Sequence, residues 1–316
     1  MKRMIGSIGL ALALASGSAA AYNVFPIDAN NSLKWGSNLN GTPGGVVTWS
    51  LMADGTGLDP SAPAYVHGTS NLGSLIAQID TAYGSGAFAG ALNNAFATWS
   101  SLANISFVQV TETGSVPFSA SYASVGSNVI GDIRIGAYDI DGFSGAVGFA
   151  APPNGGTTLE GDILFNLNVA YQIASVPEGA EHAIYLGPSP TDPGNKDFWY
   201  HNDLEMLFVH ELGHALGMAH STVPTALMCG YVDGNFDGSA CSYLDPDANG
   251  TIPLNRIPDA DDIAGIQFLY GAPVPEPETW AMLLAGLGLV GFMARRRHSM
   301  SFGDEFTLCR SSANAA

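Results

Sequence analysis

Apolar residues recur at helical spacing in three stretches of this chain. From Ala87 to Leu102 the side chains Phe88, Leu92, Phe96 and Trp99 fall on one side, which predicts a helix packed on the core. A second helix is predicted from about Asp203 to Leu216, with Asn202 or Asp203 as N-cap and Gly217 as a natural stop. A third runs from near Pro258 to Gly271, its apolar positions being Ile263, Ile266, Phe268 and Leu269. The runs Val46-Val47-Thr48-Trp49, Ile105 to Val110 and Asp132-Ile133-Arg134-Ile135 have strand character. Around them Asn38 to Gly57 and Gly126 to Gly161 are rich in Gly, Asn, Ser and Thr, so long loops are expected between the strands. No internal repeat is present.

Both ends differ from this middle. Residues 1–21 begin with Lys2 and Arg3, continue through the apolar run Ile5 to Ala15 and finish at Ala19-Ala20-Ala21, the layout of a cleavable signal peptide. The mature chain is expected to start near Tyr22. At the other end, Trp280 to Ala294 carry no charge and precede Arg295-Arg296-Arg297. As a helix that run is about 22 Å long against a hydrocarbon core of about 30 Å, a marginal transmembrane helix, so membrane association is expected to be transient. Ala272 to Glu278, with three prolines, reads as a linker. The expected organisation is one domain over 22–272, an anchor or sorting segment over 273–297 and a tail of unassigned role over 298–316.

Within 22–272 the basic side chains are Lys34, Arg134, Lys196 and Arg256, against 24 Asp and Glu, a formal charge of −20. Such a field repels phosphate backbones and argues against a nucleic-acid partner. Cys229 and Cys241 lie close in sequence, and an exported chain can oxidise them to a disulfide; two buried thiols are the alternative. Cys309 would be left unpaired.

The chemistry is concentrated in Val209-His210-Glu211-Leu212-Gly213-His214-Ala215-Leu216-Gly217-Met218-Ala219-His220. His210 and His214 stand four apart on a predicted helix, so their imidazoles leave the same face one turn apart and can share a metal. Glu211 is rotated by about 100° or more from both, within reach of a water on the metal but outside its ligand set. Gly217 lets the chain leave the helix and return His220 as a third ligand. Three protein ligands leave a fourth position for water, the mark of a catalytic zinc site.

This pattern resembles the metzincins, and among them the matrixins, which include the matrix metalloproteinases. Ser221 follows the third histidine as in matrixins, Met228 stands where that family has its Met-turn methionine, and Asp261 to Gly271 is similar to the matrixin C-terminal helix. The resemblance implies an α+β, zincin-like catalytic domain, a twisted mixed sheet with three helices and a cleft above the metal. It implies a zinc endopeptidase with His210, His214 and His220 as ligands and Glu211 as general base, binding an extended peptide against an edge strand near Gly148 to Pro152. The family's second, structural zinc uses histidines in the region that here reads Ile135 to Leu167, which has none, so one zinc is expected. The family's propeptide cysteine has no counterpart before Cys229.

Asp245, Asp247 and Asn249 place oxygen ligands at alternating positions, the start of a calcium loop; the twelfth position is Arg256 rather than Glu, so a plain acidic turn is the alternative. Val274-Pro275-Glu276-Pro277-Glu278-Thr279-Trp280, the apolar run and the arginine cluster resemble the PEP C-terminal sorting signal of Gram-negative bacteria that make extracellular polysaccharide. That implies a membrane-embedded sorting enzyme as partner and a secreted, cell-surface or extracellular-matrix location. The expected function is an exported, monomeric zinc endopeptidase; a zinc-stabilised matrix or adhesion module without catalysis is the alternative. Glu211 favours the enzyme, because a structural site has no use for it.

If the C-terminal segment is a sorting signal, it is cut near the Pro-Glu-Pro element. Mass spectrometry of the secreted protein should then find no C-terminal peptide containing Arg295 to Arg297, and a mature protein that retains them contradicts the reading.

Overall fold

Strand character at Ile133 develops into an eight-residue strand, Ile133–Ile140, buried at every position but one, as expected for a strand covered on both faces. It lies at the centre of the sheet in a computed structural model that describes residues 22–142, 144–183, 201–230, 241, 251–274, 284–290 and 292–293. The strands are β1 (Asn23–Val24), β2 (Gly45–Leu51), β3 (Val66–His67), β4 (Ile105–Gln109), β5 (Ile133–Ile140) and β6 (Ala146–Gly148). They continue with β7 (Ile163–Asn166), β8 (Ala170–Gln172), β9 (Glu181–Ala183), β10 (His201–Asp203), β11 (Met218–Ala219) and β12 (Thr251–Pro253). The helices are α1 (Leu72–Tyr83), α2 (Ala87–Leu102), α3 (Tyr122–Val125), α4 (Leu204–Ala215) and α5 (Ala260–Tyr270).

The main sheet has the order β4-β2-β5-β7-β6, with β3 added to β5. Its first four strands are parallel, and β6 closes one edge antiparallel to β7, in the register Val147 opposite Leu164. Three short pairs, β1 with β11, β8 with β10 and β9 with β12, tie distant segments around α4. This is the α+β mixed sheet that the resemblance implied.

The three predicted helices are present, and two more join them. α1 carries Leu72, Leu75 and Ile79 inward at helical spacing, a periodicity the sequence does display. Gly84 and Gly86, both at positive φ, separate it from α2. Asp80 accepts hydrogen bonds from the Gly86 and Phe88 amides there, at 2.9 and 3.1 Å, so the broken end of one helix satisfies the start of the next.

On one side of the sheet α2 and α4 pack through stacked and edge-on rings: Trp49 on Phe96 at 4.7 Å, Phe96 on Phe208 at 5.5 Å and Phe165 on Phe208 at 5.9 Å. The buried Trp99 donates its indole N–H to the Val209 carbonyl at 2.9 Å, joining the two helices directly. A second cluster joins Met52, Val66 and Phe118 to Tyr138, Ile140 and Leu164 of the region between Ile135 and Leu167, with Phe149 packed against it.

In the part of the chain assigned to an anchor, residues 284–290 and 292–293 are helical. Among the described residues no helix is long and apolar enough to cross a membrane, so the expected transmembrane helix is not supported; Trp280 to Leu283, Gly291 and Ala294 lie outside those residues.

Among the described residues, the ion pair between Arg134 and Glu112 is held almost wholly inside the protein. Arg134, on β5, donates from Nε and Nη2 to Glu112 at 2.7 and 2.9 Å, and also reaches the Pro117 and Val116 carbonyls. Both side chains are almost entirely excluded from water. Arg134→Ala strands Glu112 as a buried charge, and chemical denaturation should register a loss of about 3–5 kcal/mol. A loss under about 1 kcal/mol would mean that the carboxylate is solvated after all.

Candidate metal centre

Helix α4 is apolar nearly all round. Leu204, Met206, Phe208, Val209, Leu212 and Ala215 are buried on several faces, as in a helix that runs through a core rather than over one. Asp203 is its N-cap, accepting from the Met206 amide at 2.9 Å; of the two caps the sequence allowed, this one is used. The Asp203 carboxylate is fully buried and is matched by Arg256, which donates from Nε and Nη2 at 2.8 and 2.6 Å. Arg256 therefore has a task that the calcium-loop reading did not suggest. Asp245, Asp247 and Asn249 lie outside the described residues.

At the other end Gly217, at φ 100°, turns the chain out of the helix. A Cβ there would also overlap the Leu33 carbonyl. The last carbonyls are met from far away in sequence: Trp35 Nε1 donates to Ala215 O at 2.9 Å and Tyr270 Oη to Leu216 O at 2.7 Å. The exit turn then brings His220 back over the helix.

His210, His214 and His220 converge. Their facing nitrogens lie close together, with His220 Nε2 at 3.3 Å from His210 Nε2 and 3.1 Å from His214 Nε2. These three form the group able to hold a metal ion among the described residues. The far nitrogens are fixed by backbone: His210 Nδ1 is 2.7 Å from Leu227 O and His214 Nδ1 is 2.8 Å from Met218 O. An Nδ1–H donating to each carbonyl leaves the Nε2 lone pair aimed at the shared point, the arrangement a metal requires. Burial, then the neighbouring imidazoles, pushes His210 down to about 4 and His214 well below its ordinary range, so both rings are neutral.

Glu211 lies one residue round the helix, buried, with Oε2 accepting the Gly148 amide of β6 at 2.6 Å. Burial raises its carboxyl to about 8, against the lowering effect of that hydrogen bond. Two oppositely displaced acids and bases side by side are typical of working sites.

Met228 packs under the helix where Gly213 leaves room; a Cβ on Gly213 would overlap its sulfur. The loop that carries Met228 is held by Asp262, which accepts from the Leu227 and Met228 amides at 2.6 and 2.9 Å. Ser221 donates to Asp261 at 2.6 Å. Neither carboxylate was singled out from sequence, although two adjacent acids at a helix start were visible; only the fold reveals that they face the loop. Cys229 and Cys241 are joined by a disulfide that closes this region.

Comparison with known proteins fits this geometry. The matrixin family model matches residues 70–271, and a PEP-CTERM protein-sorting motif matches 273–297. Matrix metalloproteinase-16 of Homo sapiens is 41% identical over 78 residues, covering 24% of this chain and 10% of that protein. Macrophage metalloelastase of Oryctolagus cuniculus is 31% identical over 196 residues, covering 60% of this chain and 31% of that protein. The chain thus spans about a tenth to a third of the length of these relatives. A match over residues 70–271, most of the chain and all of the histidine site, means that the chain belongs to the matrixin family.

Proposed function

We propose that this protein is an exported zinc endopeptidase in which His210, His214 and His220 hold the metal and Glu211 is the general base. The observation that carries the reading is the convergence of three imidazoles, two of them held neutral by burial, beside a carboxylate that is not one of the three. The donor set fits zinc, which is well served by three imidazole nitrogens with backbone partners behind them. When bound, zinc supplies Lewis acidity, which lowers the pKa of water and polarises a scissile carbonyl. The chain does the rest. Glu211 takes the proton of the attacking water and hands it to the departing amine, so no covalent intermediate with the protein is needed. The outer edge of β6 offers its remaining main-chain groups to an extended peptide, which fixes the carbonyl near the three histidines. The match over 273–297 supports export, sorting and removal of the C-terminal segment in a Gram-negative bacterium, with a secreted or surface location.

Glu211→Ala separates an enzyme from a zinc-stabilised binding module. It should leave one zinc per domain by elemental analysis, while hydrolysis of a casein or peptide-library substrate falls about 100- to 10,000-fold. Retained hydrolysis in a zinc-loaded variant removes Glu211 from the mechanism. A zinc-loaded wild type that cleaves neither substrate favours the binding module instead.

The same groups set a pH dependence for the chelator-treated domain. His210 and His214 have folded pKa values below the ordinary 6.5, so as pH falls from 6.5 the unfolded chain takes up protons first and stability drops. Glu211 has the opposite sign: its folded value of about 8 exceeds the ordinary 4.5, so stability drops as pH rises between the two. Other buried groups titrate over the same range, so the test is a difference between two variants. As pH rises from about 4.5 to about 8, the melting temperature of the wild type should fall relative to that of Glu211→Gln. A difference that stays constant with pH contradicts the assignment.

A further inference from the structure

The geometry points to Gly148 as a positioning residue for Glu211: its backbone N–H holds the carboxylate, and its missing side chain lets α4 and β6 approach closely enough for that bond to form. The inference rests on the role proposed for Glu211, and goes beyond it by naming what aims the carboxylate.

The sheet register fixes where the Gly148 amide points. Asn166 N–H donates to Gly145 O and Phe149 N–H donates to Asp162 O, each at 2.9 Å. In an antiparallel pair, alternate residues turn their polar backbone toward the partner strand, so 145, 147 and 149 face β7 while 146 and 148 face away. The Gly148 N–H is thus an edge donor on the open side of β6, and it is aimed at Glu211 Oε2 at 2.6 Å. Among the described residues the hydrogen bond to the Glu211 carboxylate falls on Oε2 and not on Oε1. One oxygen is anchored and the other is left to move a proton.

Space is the second half of the argument. Gly148 has no left-handed φ, so its backbone conformation is open to any residue. What excludes a side chain is proximity: a Cβ at 148 would overlap the Glu211 backbone carbonyl and approach Oε2 to 3.1 Å. The obstruction is helix backbone, which cannot swing aside as a side-chain tip can. The strand's near end is fixed too, since Tyr171 Oη donates to the Gly145 carbonyl at 2.5 Å. An added methyl group at 148 must therefore push the strand and the carboxylate apart locally. A misplacement on the order of 1 Å near reacting groups costs roughly 100-fold in rate.

Two measurements on the zinc-loaded protein test this. Gly148→Ala should keep one zinc and a cooperative melt, lower kcat about ten- to hundredfold and leave KM within about threefold, because the peptide's remaining edge contacts persist. A kcat within twofold of wild type overturns the inference. The second measurement needs no activity. With carbonyl-13C valine and 15N glycine only three Val–Gly amides are selected, Val125-Gly126, Val147-Gly148 and Val290-Gly291. Gly148→Ala removes one and so assigns it, or, if that variant does not fold, Val147→Ile removes the same signal. Glu211→Ala should shift the Gly148 amide proton upfield and speed its exchange at least tenfold, leaving the other two unmoved. An unchanged Gly148 amide overturns the proposal. If the amide responds but the wild type cleaves no peptide, the peptidase reading fails while the Gly148–Glu211 bond stands.

Discussion

A helix that carries a polar site through the middle of a core must have both of its ends satisfied inside the protein. Each end of an α-helix leaves backbone groups unpaired, and burying them bare costs about 1–3 kcal/mol apiece. Here the solution draws on the whole chain. The start of α4 is closed by Asp203, itself neutralised by Arg256 from 53 residues downstream. The end is closed by Trp35 and Tyr270, one near each end of the domain. The histidine geometry therefore depends on segments that contribute no ligand. The N-terminal strap around Trp35 and the last helix are parts of the metal centre in the mechanical sense.

How much of this was legible in the sequence follows from the range of the interactions. The spacing of His210, Glu211, His214, Gly217 and His220 encodes a local geometry, one helical turn and one glycine exit, so periodicity alone brings those residues together. The same local logic found α2, α4 and α5 with their boundaries nearly right. The same spacing is present in α1, where Leu72, Leu75 and Ile79 face inward. Nothing local says that Asp262 will hold the Met228 loop, that Arg256 will pair with Asp203, or that Gly148 will face Glu211. These contacts span 34, 53 and 63 residues and exist only once the sheet order is set.

The second apolar cluster illustrates how a region without histidines is stabilised. Between Ile135 and Leu167 the chain makes tight turns around Gly142 and Gly155-Gly156 and has no histidine to draw them together. Instead Phe118, Tyr138 and Phe149 meet at centroid distances of 5.6 and 5.8 Å over Met52 and Leu164. Glu160 gathers the loop from outside, accepting from the Asn154 and Gly156 amides and from the Tyr122 hydroxyl. Apolar burial is non-directional, so it can organise such a loop without demanding ligands at fixed positions.

The scarcity of basic residues takes on a physical meaning at this point. Lys34 and Arg134 are at most 1% exposed, and Arg256 keeps only 17% of its side chain in contact with solvent. Each is spent internally. Arg134 and Arg256 neutralise buried carboxylates, and Lys34 donates to the Trp35, Ser37 and Thr42 carbonyls while its ammonium lies 4.7 Å from the centre of the Tyr270 ring. With no carboxylate beside it, burial lowers Lys34 to about 8. That ammonium joins the strap around Trp35 to α5, the two segments that close the end of α4. Lys34 and Arg256 thus join the segments that close the two ends of α4, while Arg134 binds β5 to the segment from Glu112 to Pro117. A cation held inside at each end of the helix opposes loosening of the histidine site from both sides.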